Sequence, residues 1–147
     1  MIYGPLRHSI DSVQELNESN LRIYKLFINS KEDAELPPNG LHIYTDVRDI
    51  AHAHILAATI PEAGGQRFII CEGQVSSQEI SDLLRKNIPE LEKRTPKGTP
   101  GSRIDESLFT ASSEKAERVL GLTYRSKEET FVELAKQLLE IEKKEVV

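Results

Sequence analysis

The sequence predicts an α/β fold built on a βαβ unit with further helices around it. Short β-prone runs lie at residues 41–45 and 67–71, and apolar residues recur at helical spacing over residues 49–59 between them. Residues 68–71 are apolar throughout, which is typical of a strand that is buried on both faces. We therefore expect two strands flanking one helix, and such strands are normally parallel.

Composition limits what this unit can belong to. The 147 residues, 38% of them hydrophobic, are enough for one domain with a modest core. A formal charge of -5, without a basic stripe along any helix, argues against nucleic acid as a partner. One cysteine excludes an internal disulfide framework, and no apolar run approaches the roughly 20 residues of a membrane-spanning helix. Because the first residues also lack the pattern of a signal peptide, we expect a cytoplasmic protein that does not enter the membrane.

The chain before the βαβ unit is predicted to contain a strand end, a turn, a helix and a loop. Residues 2–5, Ile-Tyr-Gly-Pro, combine the last residues of a strand with a turn. Asn17 or Ser19 can cap a helix over about residues 20–29. Residues 31–40 are polar and contain Pro-Pro and Asn-Gly, so they are expected to form a loop that leads into the unit.

Two capping boxes predict the helices that follow the unit. The pattern S-x-x-E, in which the Ser and Glu side chains satisfy each other's backbone N–H groups, occurs at Ser76 and again at Ser126. We expect helices over about residues 77–87 and 126–143. The second is long, with apolar side chains at spacings of three and four at Phe131, Leu134, Leu138 and Ile141.

Proline, glycine and serine indicate the remaining boundaries. Residues 91–102 are rich in Pro, Gly and charge and are expected to form a surface loop. Ser112 or Ser113 can start a short helix, and Gly121 occupies a position that ends helices. The sequence contains no internal repeat that would change this order of elements.

Residues with catalytic or metal-binding chemistry have simpler structural explanations. His52 and His54 lie two apart on a helix, so their side chains diverge and cannot share one ion, and we expect no metal site. Asp46, Arg48 and Asp49 could include a catalytic carboxylate, but a helix cap with a local ion pair explains them fully.

A loop with Lys, Gly and Thr at residues 97–101 raises the possibility of phosphate binding. It lacks the G-x-x-x-x-G-K-[ST] spacing that wraps backbone N–H groups around phosphates. The loop therefore lacks the pattern that identifies such a site.

Five segments occur in the order of a known protein family. They are Ile2-Tyr3-Gly4-Pro5, Leu16-Asn17-Glu18-Ser19, Asp46-Val47-Arg48-Asp49-Ile50-Ala51, Gly65-Gln66-Arg67-Phe68, and Leu120-Gly121 before Tyr124-Arg125-Ser126. Together they resemble the C-terminal half of an extended short-chain dehydrogenase/reductase, in the NAD-dependent epimerase/dehydratase family. The branch with dihydroflavonol, cinnamoyl-CoA and yeast methylglyoxal reductases is the most similar. The resemblance implies an incomplete Rossmann-type fold, in which the N-terminal dinucleotide-binding half is absent.

The resemblance also implies a function and a site. Family members reduce aldehydes and ketones with NADPH, using a glycine-rich cofactor motif and a Tyr-x-x-x-Lys pair, and this sequence contains neither. We therefore assign no catalytic residue and expect no cofactor to bind this chain alone. In a complete enzyme Met1 and Ile2 would lie at the edge of the nicotinamide pocket, and Met1, Pro5, Leu6 and Asn17 would line the substrate cavity.

The resulting hypothesis is the substrate-binding portion of an NADP-dependent carbonyl oxidoreductase that is inactive alone. The alternative is a non-catalytic interaction or small-molecule-binding module derived from a reductase. In either case we expect an exposed apolar surface that leads to self-association or binds a partner chain.

Overall fold

The computed structural model describes residues 1–105 and 107–145, and it contains a small three-stranded sheet. The strands are β1 (Ile2–Tyr3), β2 (Ile43–Asp46) and β3 (Gly73–Gln74), in the order β1-β2-β3. β1 runs parallel to β2, whereas β3 runs antiparallel to it. With five α-helices around this sheet in the described residues, the predicted α/β class is confirmed.

The helices follow the predicted order closely. They are α1 (Glu18–Ile23), which continues as a π-helix over Tyr24–Ile28, α2 (Val47–Thr59), α3 (Ser77–Asn87), α4 (Glu114–Leu120) and α5 (Lys127–Glu145), with 3-10 turns at Val13–Glu15, Pro61–Ala63 and Pro89–Leu91. None of the helices described is long and apolar enough to cross a membrane.

Local capping chemistry explains why these boundaries were predictable. The Ser76 hydroxyl accepts from the Glu79 N–H at 3.0 Å, and the Glu79 carboxylate accepts from the Ser76 N–H at 2.8 Å. Ser126 and Glu129 make the same reciprocal pair at 3.2 and 2.9 Å. Gly121 ends α4 in the left-handed region, at φ +65°, which a residue with a Cβ rarely adopts. Both capping boxes and the glycine stop are confirmed.

The prediction of a second strand at residues 67–71, parallel to the first, is wrong in both position and direction. Residues 67–71 are not assigned to any strand, and β3 begins only at Gly73. The Val75 N–H donates to the His42 carbonyl at 2.8 Å, so the chain pairs beside β2 in the antiparallel direction. Ile69 is 54% exposed, so this segment is not buried on both faces. An apolar run becomes a ladder strand only when another strand lies beside it, and none does here among the described residues.

The main core lies between α5, α3 and the π-helix. Its fully buried side chains include Phe27, Leu84, Phe131 and Leu138. The Phe131 ring lies 5.1 Å from that of Tyr3, between centroids, and therefore joins the main core to β1. This contact positions the end of β1, which forms the site described below.

Helix α2 lies mostly outside this core. Of its side chains only Asp49 and Ala53 are buried, and Ala53 belongs to a second, small cluster with Ala63, Ala116, Leu120 and Leu122. Helix α2 itself is confirmed, but Asp49 and Ala53 are its only buried side chains.

Candidate functional site

A cavity of about 210 Å³, here called the β1 cavity, lies where the chain leaves β1. In sheets with parallel strands, ligands bind outside the carboxyl ends of the strands, because the loops that follow the strands meet there. The cavity is lined by three of the predicted substrate residues, Pro5, Leu6 and Asn17, together with Ile2. The fourth, Met1, is not among the lining residues, and its amino group donates to the Ile43 carbonyl at 2.7 Å.

Gly4 forms the tight turn at the cavity and lies directly against Asp46. Its φ is +119°, and a Cβ added there would come within 3.0 Å of Asp46 Oδ2. Only glycine combines this backbone conformation with so close an approach. A larger residue at position 4 would therefore disturb both the turn that shapes the cavity and the Asp46 carboxylate beside it.

The Asp46 carboxylate is fully buried and fully engaged. Its Oδ1 accepts from the Arg48 N–H, and Oδ2 accepts from the Arg48 guanidinium at 2.7 Å. Burial alone raises the pKa of the Asp46 carboxyl, but the hydrogen bonds from Arg48 outweigh it and hold the pKa below its ordinary value. Arg48 also forms an ion pair with Glu133 on α5. The interpretation of Asp46 and Arg48 as a cap with a local ion pair is confirmed.

Asp49 has a role that the sequence did not indicate. Its carboxylate accepts from the Arg125 N–H at 2.8 Å and forms an ion pair with the Arg125 guanidinium. The Asp49 side chain is 1% exposed, so this pair connects α2 to the segment before α5 instead of capping a helix. Sequence spacing offers no signal for it, because the two residues lie 76 positions apart.

Asn20 is a residue of the β1 cavity that sequence analysis missed. Its Nδ2 donates to the Gly4 carbonyl at 3.2 Å, which holds the turn against α1. Its Oδ1 is buried and has no hydrogen-bond partner among the described residues. A buried acceptor without a partner is costly, so Asn20 Oδ1 is a candidate to accept from a bound hydroxyl or water. A polar residue one turn after Asn17 was the available clue.

The described residues do not fit the pyrophosphate of a dinucleotide. Such a site needs free backbone N–H groups at a helix start that tolerates negative charge. Every α-helix described here instead has an acidic residue in its first turn, at Glu18, Asp49, Glu79, Glu114 and Glu128. In the 97–101 loop, the Thr99 N–H donates to Gln78 Oε1 and the Gly101 N–H donates to Asp82 Oδ2, both at 2.8 Å.

The histidines of α2 lie away from any metal-binding arrangement. Residue His52 is exposed, and His54 is exposed with its Nδ1 2.7 Å from the Ile50 carbonyl. Within residues 1–105 and 107–145, no group of three or more His, Cys, Asp or Glu side chains could hold an ion.

A second concavity, the α2 groove, is apolar and open. It has a volume of about 270 Å³ and is lined by Ile50, Ala53, His54, Ala57, Phe68, Ile70 and Leu120. Ile55 and Ile69, both more than half exposed, lie on the same two segments. Phe68, Ile70 and the side of α2 that faces them thus form one open apolar region.

Comparison with curated proteins identifies reductases as relatives, although no family model matches the chain. It is 33% identical over 143 residues to the NADPH-dependent methylglyoxal reductase of Saccharomyces cerevisiae, covering 96% of this chain and 41% of that protein. It is 29% identical to cinnamoyl-CoA reductase 1 of Petunia hybrida, with coverage of 95% and 39%. The chain thus spans about two fifths of the length of the curated relatives it matches.

Solved structures agree with the sequence relatives. The structure of Gre2 from Candida albicans matches with a TM-score of 0.83 at 28% identity, over 96% of this chain and 42% of that one. The yeast methylglyoxal/isovaleraldehyde reductase solved with NADPH matches with a TM-score of 0.76 at 26% identity, with coverage of 97% and 45%. The chain is a homologue of the NADPH-dependent reductases of the extended short-chain dehydrogenase/reductase family, and it corresponds to a C-terminal portion of their Rossmann-type fold.

Proposed function

We propose that these 147 residues form the substrate-side portion of a cytoplasmic NADPH-dependent carbonyl reductase. The β1 cavity would hold the aldehyde or ketone. The observation that supports this most directly is the position of Pro5, Leu6 and Asn17 around one cavity at the carboxyl end of β1. The relatives support the reaction class, because their names describe reductases that depend on NADPH.

The cofactor would be bound chiefly by a separate dinucleotide-binding portion. The helix starts described above disfavour the pyrophosphate, and the 147 residues contain no Tyr-x-x-x-Lys pair to protonate the developing alkoxide. This chain would contribute the cavity wall, with Met1 and Ile2 at the edge nearest the nicotinamide. NADPH would supply the hydride when bound. We therefore infer that the chain by itself neither binds NADPH nor reduces a carbonyl compound.

Fluorescence titration with NADPH tests this inference. The chain is measured alone, mixed with the separately expressed N-terminal portion of the yeast methylglyoxal reductase, and fused to that portion in one polypeptide. We expect binding and reduction of methylglyoxal only in the mixture or the fusion. Leu6→Trp, which fills the β1 cavity, should leave NADPH binding intact and abolish turnover. Tight NADPH binding by the lone chain, or full turnover by the Leu6→Trp fusion, would contradict the proposal.

The α2 groove favours a second candidate, a non-catalytic module that binds another chain. If the chain is part of a reductase, we expect the dinucleotide-binding portion to occupy the α2 groove. The matched relatives are more than twice as long as this chain, and the apolar region at the groove is uncovered. Light scattering separates the candidates. We expect the lone chain to self-associate and the mixture to form a one-to-one complex. A chain that stays self-associated and inactive in the mixture would favour the interaction module.

A further inference from the structure

A polar groove adjoins the β1 cavity. It has a volume of about 520 Å³ and lies between residues 6–10 and the C-terminal half of α5. Its lining includes Arg7, His8 and Lys144, and Arg7 and His8 also line the β1 cavity. The two concavities are therefore neighbours with a shared basic wall, and we call the larger one the basic groove.

The groove is held in shape by a side chain of α5. The Leu6 N–H donates to Gln137 Oε1 at 2.6 Å, and Gln137 Nε2 donates to the Leu6 carbonyl at 3.2 Å. These two hydrogen bonds fix the loop that contains Arg7 and His8 to the helix that contains Lys144. The basic side chains thus project from two elements whose separation is set before any ligand binds.

The charge of the groove is opposite to that of the protein. The chain has a formal charge of -5, yet among the described residues neither Arg7 nor Lys144 has a carboxylate within 4.0 Å. The one acid in the lining, Glu140, lies 3.3 Å from Lys143, which partly neutralises it. Two cations without a carboxylate partner on one groove give it a net positive charge, which favours an anionic ligand.

We propose that the basic groove binds the carboxylate of an oxo acid whose ketone or aldehyde end occupies the β1 cavity. This inference rests on the proposed function and names its substrate class. Arg7 lines both concavities, and the fork of N–H donors on its guanidinium matches a carboxylate in bidentate fashion. Arg7 is then the residue that selects acids over neutral carbonyl compounds, and Lys144 adds a longer-range attraction.

Turnover by the fused reductase tests the selection. The kcat/KM for levulinate is compared with that for its neutral ethyl ester. We expect Arg7→Gln to lower the acid-to-ester ratio of kcat/KM about five-fold, as for loss of one partly exposed charged contact, and salt to lower the ratio similarly. Lys136→Gln, an exposed cation on α5 that does not line the groove, should leave the ratio unchanged. A ratio that Arg7→Gln does not change overturns the proposal.

A binding measurement on the 147-residue chain separates this proposal from the proposed function. Levulinate is titrated into the labelled chain while the backbone N–H signals of Arg7 and His8 are followed by NMR. We expect saturable shifts in the native chain and in Lys136→Gln, and weaker binding in Arg7→Gln and Lys144→Gln. Saturable shifts together with no turnover of the ester by the fused reductase would support ligand binding in the basic groove and reject the proposed reductase function. Equal affinity in all four chains would reject the groove, whatever the turnover.

Discussion

Helices α5 and α2 differ sharply in how much of their apolar surface is covered. Both are amphipathic in sequence, yet α5 buries eight side chains and α2 buries two. α5 packs against α3, the π-helix and β1, whereas α2 meets β2, α4 and the short turn at Pro61–Ala63. The comparison shows that periodicity predicts an apolar face but does not indicate whether this chain contains the surface that covers it.

The largest expected difference between the two helices is in the cost of cavities. Leu138→Ala on α5 removes a fully buried side chain, and we expect it to lower the free energy of unfolding by about 2–5 kcal/mol. Ile55→Ala on α2 removes a side chain that is 61% exposed and should change that free energy by less than about 0.5 kcal/mol. Urea denaturation measures both variants. Both are measured at concentrations at which light scattering shows a monomer, so a similar loss in the two would mean that α2 is covered within the chain itself.

The next largest effect concerns the ion pair that joins the two regions. Asp49→Ala leaves Arg125 without its carboxylate, and we expect a loss of about 2 kcal/mol, less than for a fully buried pair because Arg125 is partly exposed. Ser76→Ala, which removes only a helix cap, serves as the matched control at about 1 kcal/mol. Urea denaturation of Arg125→Gln and of the double variant completes a cycle. Additive losses would show that the pair contributes nothing beyond two separate side chains.

The variant that should change stability least, Ala57→Arg, should change assembly most. Ala57 is exposed in the α2 groove, so Ala57→Arg should change the free energy of unfolding of the chain, measured where it is monomeric, by less than about 0.5 kcal/mol. The same charge and bulk should prevent a one-to-one complex with the dinucleotide-binding portion, since an apolar interface cannot bury it. Lys136→Gln provides a control that should assemble normally. Light scattering that shows the complex intact in Ala57→Arg would mean that the α2 groove is not the interface.

Elements with local causes were predictable from the sequence. The Ser76 and Ser126 boxes, the glycine at residue 121 and the apolar spacing of α5 depend on residues within about one or two helical turns, and each predicts its element correctly. The family resemblance assigned Met1, Pro5, Leu6 and Asn17 to a substrate cavity, and the last three of them line the β1 cavity.

Contacts between distant residues were decided only by the tertiary structure. Whether residues 67–71 form a strand depends on a neighbouring strand, and the pairing of Asp49 with Arg125 depends on how α2 and α5 are oriented. Asn20 Oδ1 is left without a partner where the turn at Gly4 meets α1. The basic groove likewise forms where the loop after β1 meets α5, more than a hundred residues away in the sequence. The sequence by itself determined the helices and the reductase ancestry, because caps and motifs act locally. The tertiary structure alone decided what each face meets, because burial and pairing belong to pairs of elements and not to either one.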